Sequence, residues 1–371
     1  MILDEIVANK KQEVEQQKDN LSQKEITTQL IPSKKNFKKA LTIGRGINLI
    51  AEVKRKSPSR GLINKNLDVE KIIDIYDRNP NVNAISFLTD FKYFGGSFEE
   101  LQKIHGCTSK PILCKEFIID EYQIYRARYF GADAILLIAR ILSTQEMEKF
   151  IKIAQKYDMD CLVEVHNNED IVKLPDNAEI IGINNRNLAN MKISLTNTLE
   201  LYPEVKEQAE VVVTESGILN SRDVRKVRDH ADAMLIGSAI MASSNPDRRI
   251  DALFRPKIKI CGMTNLRGAQ ICAENGADFL GFIFYEKSER YIMPQKAAQI
   301  IQQIGVDYPD LKTVGVFVNA GIESVKKFRR RCGLDLVQLH GDEAPDYVEQ
   351  LGSGVIKAFR VSDNSSILTE I

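Results

Sequence analysis

The feature that most constrains this chain is a repeated alternation between short apolar runs and longer segments of helical periodicity. The runs are rich in β-branched residues and mostly apolar throughout, which is typical of strands covered on both faces. The intervening segments place apolar residues at helical spacing, as Met147, Phe150 and Ile151 do. This alternation indicates βα units and predicts a parallel sheet. The first eight runs are INLIAEV (47–53), NAISFLT (83–89), PILCKEF (111–117), AILLIA (134–139), CLVEV (161–165), EIIGIN (179–184), VVVTE (211–215) and AMLIG (233–237).

Eight parallel strands with intervening helices close most economically as a (β/α)8 barrel of about 250 residues. An open doubly wound sheet is the alternative, but a glycine-rich fingerprint would normally follow its first strand, and none follows INLIAEV. We therefore expect an α/β protein with a complete (β/α)8 TIM barrel over 47–255. Residues 1–46 precede the first strand and predict a helical extension, which either plugs the bottom or side of the barrel or covers its mouth as a lid.

The strand pattern restarts after Pro256. From 256 to 371 the sequence has 116 residues (371 − 255), whereas a TIM barrel needs at least ~200. We therefore expect 256–371 to form an incomplete second (β/α)8 barrel of about five strands. The five runs are KIKICG (257–262), DFLGFIF (278–284), KTVGVFV (312–318), LDLVQLH (334–340) and GVIKAFR (354–360).

The composition of the chain limits the classes of function that we expect for it. Fifty-one basic residues balance 51 acidic ones, which leaves no net field to hold nucleic acid or an acidic membrane. The charged N-terminal segment is unlike a signal peptide, and no apolar run approaches the ~20 residues of a spanning helix. The six cysteines form no CxxC and the four histidines no HxxxH, which favours reduced thiols and argues against zinc. We expect a cytoplasmic protein.

Polar side chains stand at the carboxyl ends of the predicted strands, where barrel enzymes carry their chemistry. One charged residue at a strand end is ordinarily just solvated, but several in one mouth would titrate as a coupled group. Such a group supplies both an acid and a base near neutral pH and needs no metal or cofactor. The candidate catalytic residues are Glu52, Lys54, Lys115, Glu164, Asn184, Arg186, Glu215 and Ser216.

Two glycine turns predict an anion site. Glu215-Ser216-Gly217 follows the seventh run and Gly237-Ser238 follows the eighth, and each leads into a predicted helix. Free backbone N–H groups at helix starts attract anions, and these are the loops in which barrels commonly hold phosphate. Each turn alone could be an ordinary βα connection. Together with the basic run 54–59, they favour a phosphorylated small-molecule substrate.

Eight stretches resemble the indole-3-glycerol-phosphate synthase family over 1–255: IAEVKRKSPSRG (50–61), KYFGGSFEEL (92–101), ILCKEFIID (112–120), GADAILLIA (131–139), LVEVHN (162–167), IGINNRNL (181–188), TESGI (214–218) and LIGSAIM (235–241). The resemblance implies a (β/α)8 barrel whose N-terminal extension shapes the substrate pocket. It also implies conversion of 1-(2-carboxyphenylamino)-1-deoxyribulose 5-phosphate to indole-3-glycerol phosphate, carbon dioxide and water, in tryptophan biosynthesis.

The same resemblance implies roles for individual residues. Lys115 matches the general acid that protonates the substrate carbonyl, Glu164 its partner carboxylate in dehydration, and Lys54 a lysine beside the substrate carboxylate and reacting carbonyl. Residues matching those that orient the substrate and these catalytic groups are Glu52, Asn184, Arg186, Glu215 and Ser216. Those matching phosphate contacts are Ser57, Gly217, Gly237 and Ser238. Phe94 matches an aromatic residue that packs on the anthranilate ring, although a plain core aromatic fits the sequence nearly as well.

The segment from 256 onward resembles phosphoribosylanthranilate isomerase, through KIKICGMTN (257–265), ADFLGFIF (277–284), KSERYI (287–292), VGVFVN (314–319) and LVQLHGDE (336–343). This resemblance implies a bifunctional arrangement in which Cys261 is a general base, Arg290 anchors the substrate and His340 lies near the site. The family's general acid follows its sixth strand and its phosphate loops follow the seventh and eighth, so these parts find no match.

Five strands of a barrel leave two open edges and an uncovered interior. We expect partial disorder, dimerisation through the edges, or completion by a separate fragment, and no isomerase activity from these 371 residues alone. Two alternatives to a synthase remain for the first barrel. Lys115 could attack a carbonyl as in a Schiff-base aldolase, or the barrel could bind a phosphorylated ligand without catalysis.

Overall fold

The structure is a computed structural model that describes residues 2–44, 46–57, 61–62, 67–187, 191–309 and 311–359, without the side chains of Ile2, Ser57 and Leu62. The chain divides into two compact units, residues 1–255 (unit 1) and 256–371 (unit 2).

Unit 1 alternates strands and helices after an all-helical start. In chain order its described elements are α1 (Ile2–Asn20), α2 (Gln23–Thr27), α3 (Phe37–Ala40), β1 (Asn48–Val53), β2 (Lys56–Ser57), β3 (Gly61–Leu62), α4 (Val69–Arg78), β4 (Ala84–Leu88), α5 (Phe91–Phe94), α6 (Phe98–His105), β5 (Ile112–Lys115), α7 (Glu121–Tyr129), β6 (Ala134–Ile138), α8 (Thr144–Gln155), β7 (Asp160–Val165), α9 (Asn168–Ile171), β8 (Ile180–Asn184), α10 (Thr196–Lys206), β9 (Val211–Glu215), α11 (Ser221–Val227), β10 (Ala233–Ile236), α12 (Ser238–Met241) and α13 (Pro246–Phe254).

Eight parallel strands of unit 1 form a closed barrel in the order β1-β10-β9-β8-β7-β6-β5-β4. Strand β1 closes it by pairing on both sides, with Ile50 opposite Leu235 on β10 and opposite Ala84 on β4. The predicted (β/α)8 barrel is confirmed. The antiparallel pair β2–β3, which follows β1, was not predicted.

Side-chain alternation sorts each strand into an inner and an outer face. Ile50, Leu113, Leu162 and Val213 are buried together inside the barrel. Their neighbours along the strands, such as Leu49, belong to the larger core between the barrel and the helices. Because the side-chain period is two, the residue two positions beyond each interior residue points inward again. That residue lies at the carboxyl end of the strand, where the candidate site is formed.

The N-terminal extension serves both ends of the barrel, so each of the two alternatives holds for a different helix. Phe37 and Leu41, in and just after α3, are buried in the barrel-interior cluster, and the Leu41 carbonyl accepts a 2.7 Å hydrogen bond from Asn48 Nδ2 at the start of β1. Helix α3 therefore closes the bottom. Leu3 and Ile6 of α1 line the cavity at the mouth. Helix α1 therefore lies over the carboxyl ends of the strands and is called the lid helix below.

Unit 2 is built on one parallel sheet. Its described elements are β11 (Lys259–Cys261), α14 (Leu266–Glu274), β12 (Phe279–Ile283), α15 (Pro294–Asp307), β13 (Lys312–Phe317), α16 (Ile322–Cys332), β14 (Leu336–Leu339), α17 (Pro345–Leu351) and β15 (Val355–Lys357). The sheet order is β11-β12-β13-β14-β15, which confirms the predicted five strands. Within the described residues of unit 2, β11 and β15 each pair on one side only. No described helix is long and apolar enough to cross a membrane.

Candidate active site

A cavity of about 380 Å³ opens at the carboxyl ends of the barrel strands of unit 1. It brings together twelve residues that the sequence analysis singled out: Glu52, Lys54, Phe94, Lys115, Glu164, Asn184, Arg186, Glu215, Ser216, Gly217, Gly237 and Ser238. Ser57 lies in β2, and its side chain is outside the described part of the structure. The polar residues at the strand ends therefore line one cavity, as the order of strands along the sequence predicts.

Lys115 lies at the centre of the polar groups, at the end of β5. Its Nζ is 3.1 Å from Glu164 Oε2 and also forms an ion pair with Glu215 Oε2. The two carboxylates come from β7 and β9, and their side chains are only 6% and 2% exposed. An ammonium group between two dry carboxylates is a compact arrangement for moving protons.

The environment separates the proton affinities of these three groups. Burial disfavours the charged form of Lys115, but Glu215, Glu164 and Glu52 outweigh it and raise the pKa of the ammonium group. Burial likewise opposes ionisation of Glu164, yet Lys115 and His166 hold the pKa of that carboxyl well below its usual range. Burial, helped by the Glu164 charge and opposed by Lys115, raises the pKa of Glu215 to about 8. Glu164 is thus the strongly ionised carboxylate, and Glu215 is the more readily protonated of the two.

Two inward-facing glycines leave room for the buried carboxylates. A Cβ added at Gly182 on β8 would collide with Glu215 Oε1, and a Cβ added at Gly237 would collide with Glu52 Oε1. Glu52 in turn forms an ion pair with Lys54 at the rim of the cavity. The missing side chains therefore let the two glutamates occupy positions that any other residue at 182 or 237 would contest.

The predicted phosphate turns form one side of the cavity. Ser216 and Gly217 both have left-handed backbones, with φ of +67° and +88°. Asn185 holds this turn, because its Nδ2 donates to the carbonyls of Glu215 and Ser216, each at 3.0 Å. The second turn leads from Gly237 directly into α12, which begins at Ser238. Both turns present backbone to the cavity, as an anion site requires.

Another part of the cavity lining is aromatic. Phe94, the last residue of α5, and Phe117, just after β5, both line the cavity, and their ring centroids are 6.1 Å apart. Apolar residues from the lid helix α1, Leu3 and Ile6, line the same cavity. A ligand with an aromatic ring at one end and an anionic group at the other matches this distribution.

Models of two protein families match the chain. The one described as indole-3-glycerol phosphate synthase matches residues 3–253, and the one described as N-(5'phosphoribosyl)anthranilate (PRA) isomerase matches residues 258–371. The chain belongs to the indole-3-glycerol phosphate synthase family. Unit 1 is a carboxy-lyase of tryptophan biosynthesis, and unit 2 carries the sequence of the isomerase family.

Similar proteins match almost the whole of this chain. The tryptophan biosynthesis protein TrpCF of Vibrio parahaemolyticus is 36% identical over 99% of this chain and 76% of that protein. The protein of the same name from Vibrio cholerae is 35% identical over 98% of this chain and 77% of that protein. A crystal structure of phosphoribosyl anthranilate isomerase from Thermotoga maritima is 40% identical over 29% of this chain and 53% of that one, with a TM-score of 0.28. The matched region of this chain spans about half the length of that isomerase.

The residues predicted from the isomerase resemblance lie along the carboxyl edge of the unit 2 sheet. Cys261 ends β11, and its carbonyl accepts a 3.0 Å hydrogen bond from Arg290 Nη1. His340 follows β14, three positions along the sheet, and its Nδ1 is 3.1 Å from Gln338 Nε2. The structure therefore brings Cys261 and Arg290 together, and it places His340 on a different strand end of the same edge.

Sequence reasoning missed one group beside the buried carboxylates of unit 1. His166 is 3% exposed, with Nε2 3.2 Å from Glu164 Oε1 and Nδ1 3.5 Å from Asp170 Oδ2. Burial works against its charged form, but Asp170 and Glu164 raise the pKa of His166 to about 9. An imidazolium at this position supports the ionised form of Glu164. A pattern was available: His166 follows Glu164 by two residues, just after β7 ends at Val165, so strand alternation predicts it on the same side as Glu164.

Proposed function

We propose that unit 1 converts 1-(2-carboxyphenylamino)-1-deoxyribulose 5-phosphate to indole-3-glycerol phosphate, carbon dioxide and water by acid/base catalysis. The supporting observation is the position of Lys115 Nζ between Glu164 and Glu215 inside a cavity that is also lined by glycine turns and by aromatic rings. The phosphate of the substrate binds the turns at Gly217 and Gly237–Ser238, together with Ser57. The anthranilate ring packs on Phe94.

In this mechanism Lys115 gives its proton to the carbonyl oxygen as the aromatic carbon that bears the carboxylate attacks the carbonyl carbon. The carbon–carbon bond forms, the carbonyl becomes a hydroxyl, and the ring temporarily loses aromaticity. Carbon dioxide then leaves, and its bonding electron pair restores the aromatic ring. The hydroxyl finally leaves as water, with one proton supplied to it and one proton removed from the ring system. Glu164, as the ionised carboxylate, takes part in this last transfer.

The charge state of the site suits these roles. The three surrounding glutamates keep Lys115 protonated in the resting site, so a proton donor is in place when substrate arrives. Lys115 and His166 keep Glu164 ionised, so the same site also contains a base. Lys54 is paired with Glu52. In this mechanism Lys54 lies beside the substrate carboxylate and the reacting carbonyl, as the family resemblance implies. Glu52, Asn184, Arg186, Glu215 and Ser216 orient the substrate and the catalytic groups.

The same charge state argues against a Schiff-base aldolase. That chemistry needs a neutral lysine amine as nucleophile, whereas the carboxylates around Lys115 raise the pKa of its ammonium group. Borohydride reduction with substrate should therefore trap no covalent adduct on Lys115.

The test is substitution of Lys115 by alanine. Indole-3-glycerol phosphate formation and carbon dioxide release should fall below detection. Substrate binding measured by calorimetry should survive, because the phosphate turns remain and so do the rings of Phe94 and Phe117, which we call the aromatic wall. Lys152→Ala is the matched control, since Lys152 is an exposed lysine of α8 paired only with Glu148 among the described contacts, and it should keep the wild-type rate. A folded Lys115→Ala protein with a rate near that of the wild type would refute the proposal.

We propose further that a polypeptide of these 371 residues does not catalyse the isomerase reaction on its own. Unit 2 supports this because its described sheet has five strands with β11 and β15 each paired on one side. The isomerase family takes its general acid and phosphate loops from strands six to eight of a complete barrel. Both activities together would need those strands to be supplied by further polypeptide.

A further inference from the structure

A charged residue stands within the apolar stripe of the lid helix α1. Among the described side chains of this helix, the buried ones are Leu3, Ile6, Lys10 and Val14, at the spacing of one helical face. Leu3 and Ile6 line the cavity. Lys10 is only 2% exposed, although lysine is almost never fully buried unless it is paired. A lysine buried at this position therefore needs partners of opposite charge.

Lys10 has three carboxylate partners. Its Nζ is 2.9 Å from Asp90 Oδ2, 3.0 Å from Glu116 Oε1 and 2.6 Å from Glu13 Oε2. Asp90 is fully buried and Glu116 is 3% exposed, whereas Glu13 belongs to α1 itself and is more exposed. The two buried partners come from the ends of two neighbouring barrel strands, β4 and β5. One ammonium group thus connects the lid helix to both strand ends.

Each buried partner also fixes the backbone that carries a cavity-lining residue. Asp90 caps α5, because its Oδ1 accepts a 2.7 Å hydrogen bond from Tyr93 N, and α5 ends at Phe94. Glu116 directly follows Lys115, and its Oε1 accepts a 2.7 Å hydrogen bond from Phe117 N. Phe94 and Phe117 are the two rings of the aromatic wall. Through Asp90 and Glu116, Lys10 therefore supports the backbone next to both rings of the aromatic wall. Because Glu116 directly follows Lys115, it also supports the backbone of Lys115.

The charges explain why this connection is strong. Two carboxylates buried side by side repel each other and are poorly solvated, and burial raises the pKa of Glu116. Lys10 offsets this by pairing with both. Removing only the ammonium group leaves the two carboxylates unpaired in a dry site, so the loops that carry them must move to reach water.

We propose that Lys10 is a positioning residue of the synthase reaction, which fastens the lid helix to the β4 and β5 strand ends and thereby sets the wall that receives the aromatic ring of the substrate. The proposal rests on the proposed function of unit 1. Its effect falls first on substrate binding, through Phe94 and Phe117, and second on turnover, through the backbone of Lys115.

The test compares Lys10→Met with Lys18→Met in the full chain. Lys18 lies on the same helix and also pairs with a distant carboxylate, Asp120, at 2.9 Å, but it is 33% exposed and lies outside the cavity lining. Lys10→Met should raise KM by about tenfold or more with a smaller fall in kcat, since small displacements of a binding wall are costly. Lys18→Met should leave both constants within about twofold of the wild type. Amide hydrogen exchange over 91–96 and 116–119 should accelerate in Lys10→Met only.

A triple variant, Lys10→Met with Asp90→Asn and Glu116→Gln, separates positioning from stability. It removes the stranded charges, so thermal stability should recover while KM stays raised. If KM returned to the wild-type value with stability, or if folded Lys10→Met kept wild-type constants and exchange, the proposal would be overturned. A wild-type protein without synthase turnover would instead refute the proposed function, and the exchange comparison would still decide whether Lys10 holds the two strand ends.

Discussion

The sharpest prediction concerns Gly182, an inward-facing glycine of β8. An alanine Cβ at this position would approach Glu215 Oε1 closer than the 3.0 Å that real Cβ atoms respect, and it would lie 3.2 Å from Leu162 Cδ1. To restore an ordinary contact of 3.4 Å, the Glu215 carboxyl group has to retreat by about 1 Å. That carboxyl group is paired with Lys115, so the retreat also moves or releases the ammonium group that we propose as the general acid.

The size of the effect follows from this displacement. A misplacement of about 1 Å in a catalytic arrangement costs on the order of 10²-fold in rate, which corresponds to roughly 3 kcal/mol of transition-state stabilisation. Overpacking a well-filled interior costs about 1–3 kcal/mol of folding stability. We therefore expect Gly182→Ala to fold with a lowered Tm and to lose about 10²-fold in kcat, with a smaller change in KM because the phosphate turns are untouched.

Steady-state formation of indole-3-glycerol phosphate and a thermal melt measure both effects. Gly106→Ala is the matched control, because Gly106 follows α6 with φ of −77° and an added Cβ would meet nothing nearer than 4.0 Å. It should behave as the wild type. In Gly182→Ala the further change Glu215→Asp shortens the acid and should recover part of the stability. A folded Gly182→Ala protein with kcat within about twofold of the wild type would show that Glu215 has room to move without cost, and the reasoning would fail.

Three further predictions address the phosphate site, the buried acid and unit 2. Ser238→Ala should raise KM by about tenfold at nearly constant kcat, since a phosphate contact acts equally on substrate and transition state; a large fall in kcat at constant KM would exclude that role. Glu215 has a folded-state pKa of about 8 against an ordinary 4.5, so the stability that its protonated form contributes is complete below pH 4.5 and is lost as pH rises through 8. The free energy of unfolding of the wild type should accordingly fall relative to that of Glu215→Gln by up to about 1 kcal/mol per pH unit between pH 5 and 8, and parallel curves would contradict the assigned shift. A purified polypeptide of residues 1–371 alone should turn over no phosphoribosylanthranilate, and measurable turnover would show that the five described strands of unit 2 suffice.

The periodicity of the apolar runs was enough to predict most of the fold and most of the residues of the candidate site. Eight apolar runs were enough to predict the closed barrel, and the polar residues at their ends, such as Lys115 and Glu164, lie together because parallel strands bring their carboxyl ends to one rim. The same logic extended to His166, which shares the inward face of Glu164 but received no role from its sequence pattern alone. Periodicity also left open whether the extension was a plug or a lid, since helices at opposite ends of a barrel show the same kind of apolar stripe.

Periodicity could not reveal two kinds of position. In one kind the residue matters because its side chain is small, and in the other because it pairs with a residue far away in the sequence. Gly182 matters through the side chain it lacks, and a glycine inside a strand looks like a weak point until the neighbouring strand is known to place Glu215 against it. Lys10 looks like an interruption in an apolar stripe, because the sequence does not show that Asp90, 80 residues away, will meet it. Both are cases in which a local pattern is broken and the tertiary structure supplies the reason. A lysine on the buried face of a lid helix, like an inward glycine beside a catalytic acid, is therefore a place to look for function, since folding alone would favour an apolar residue there.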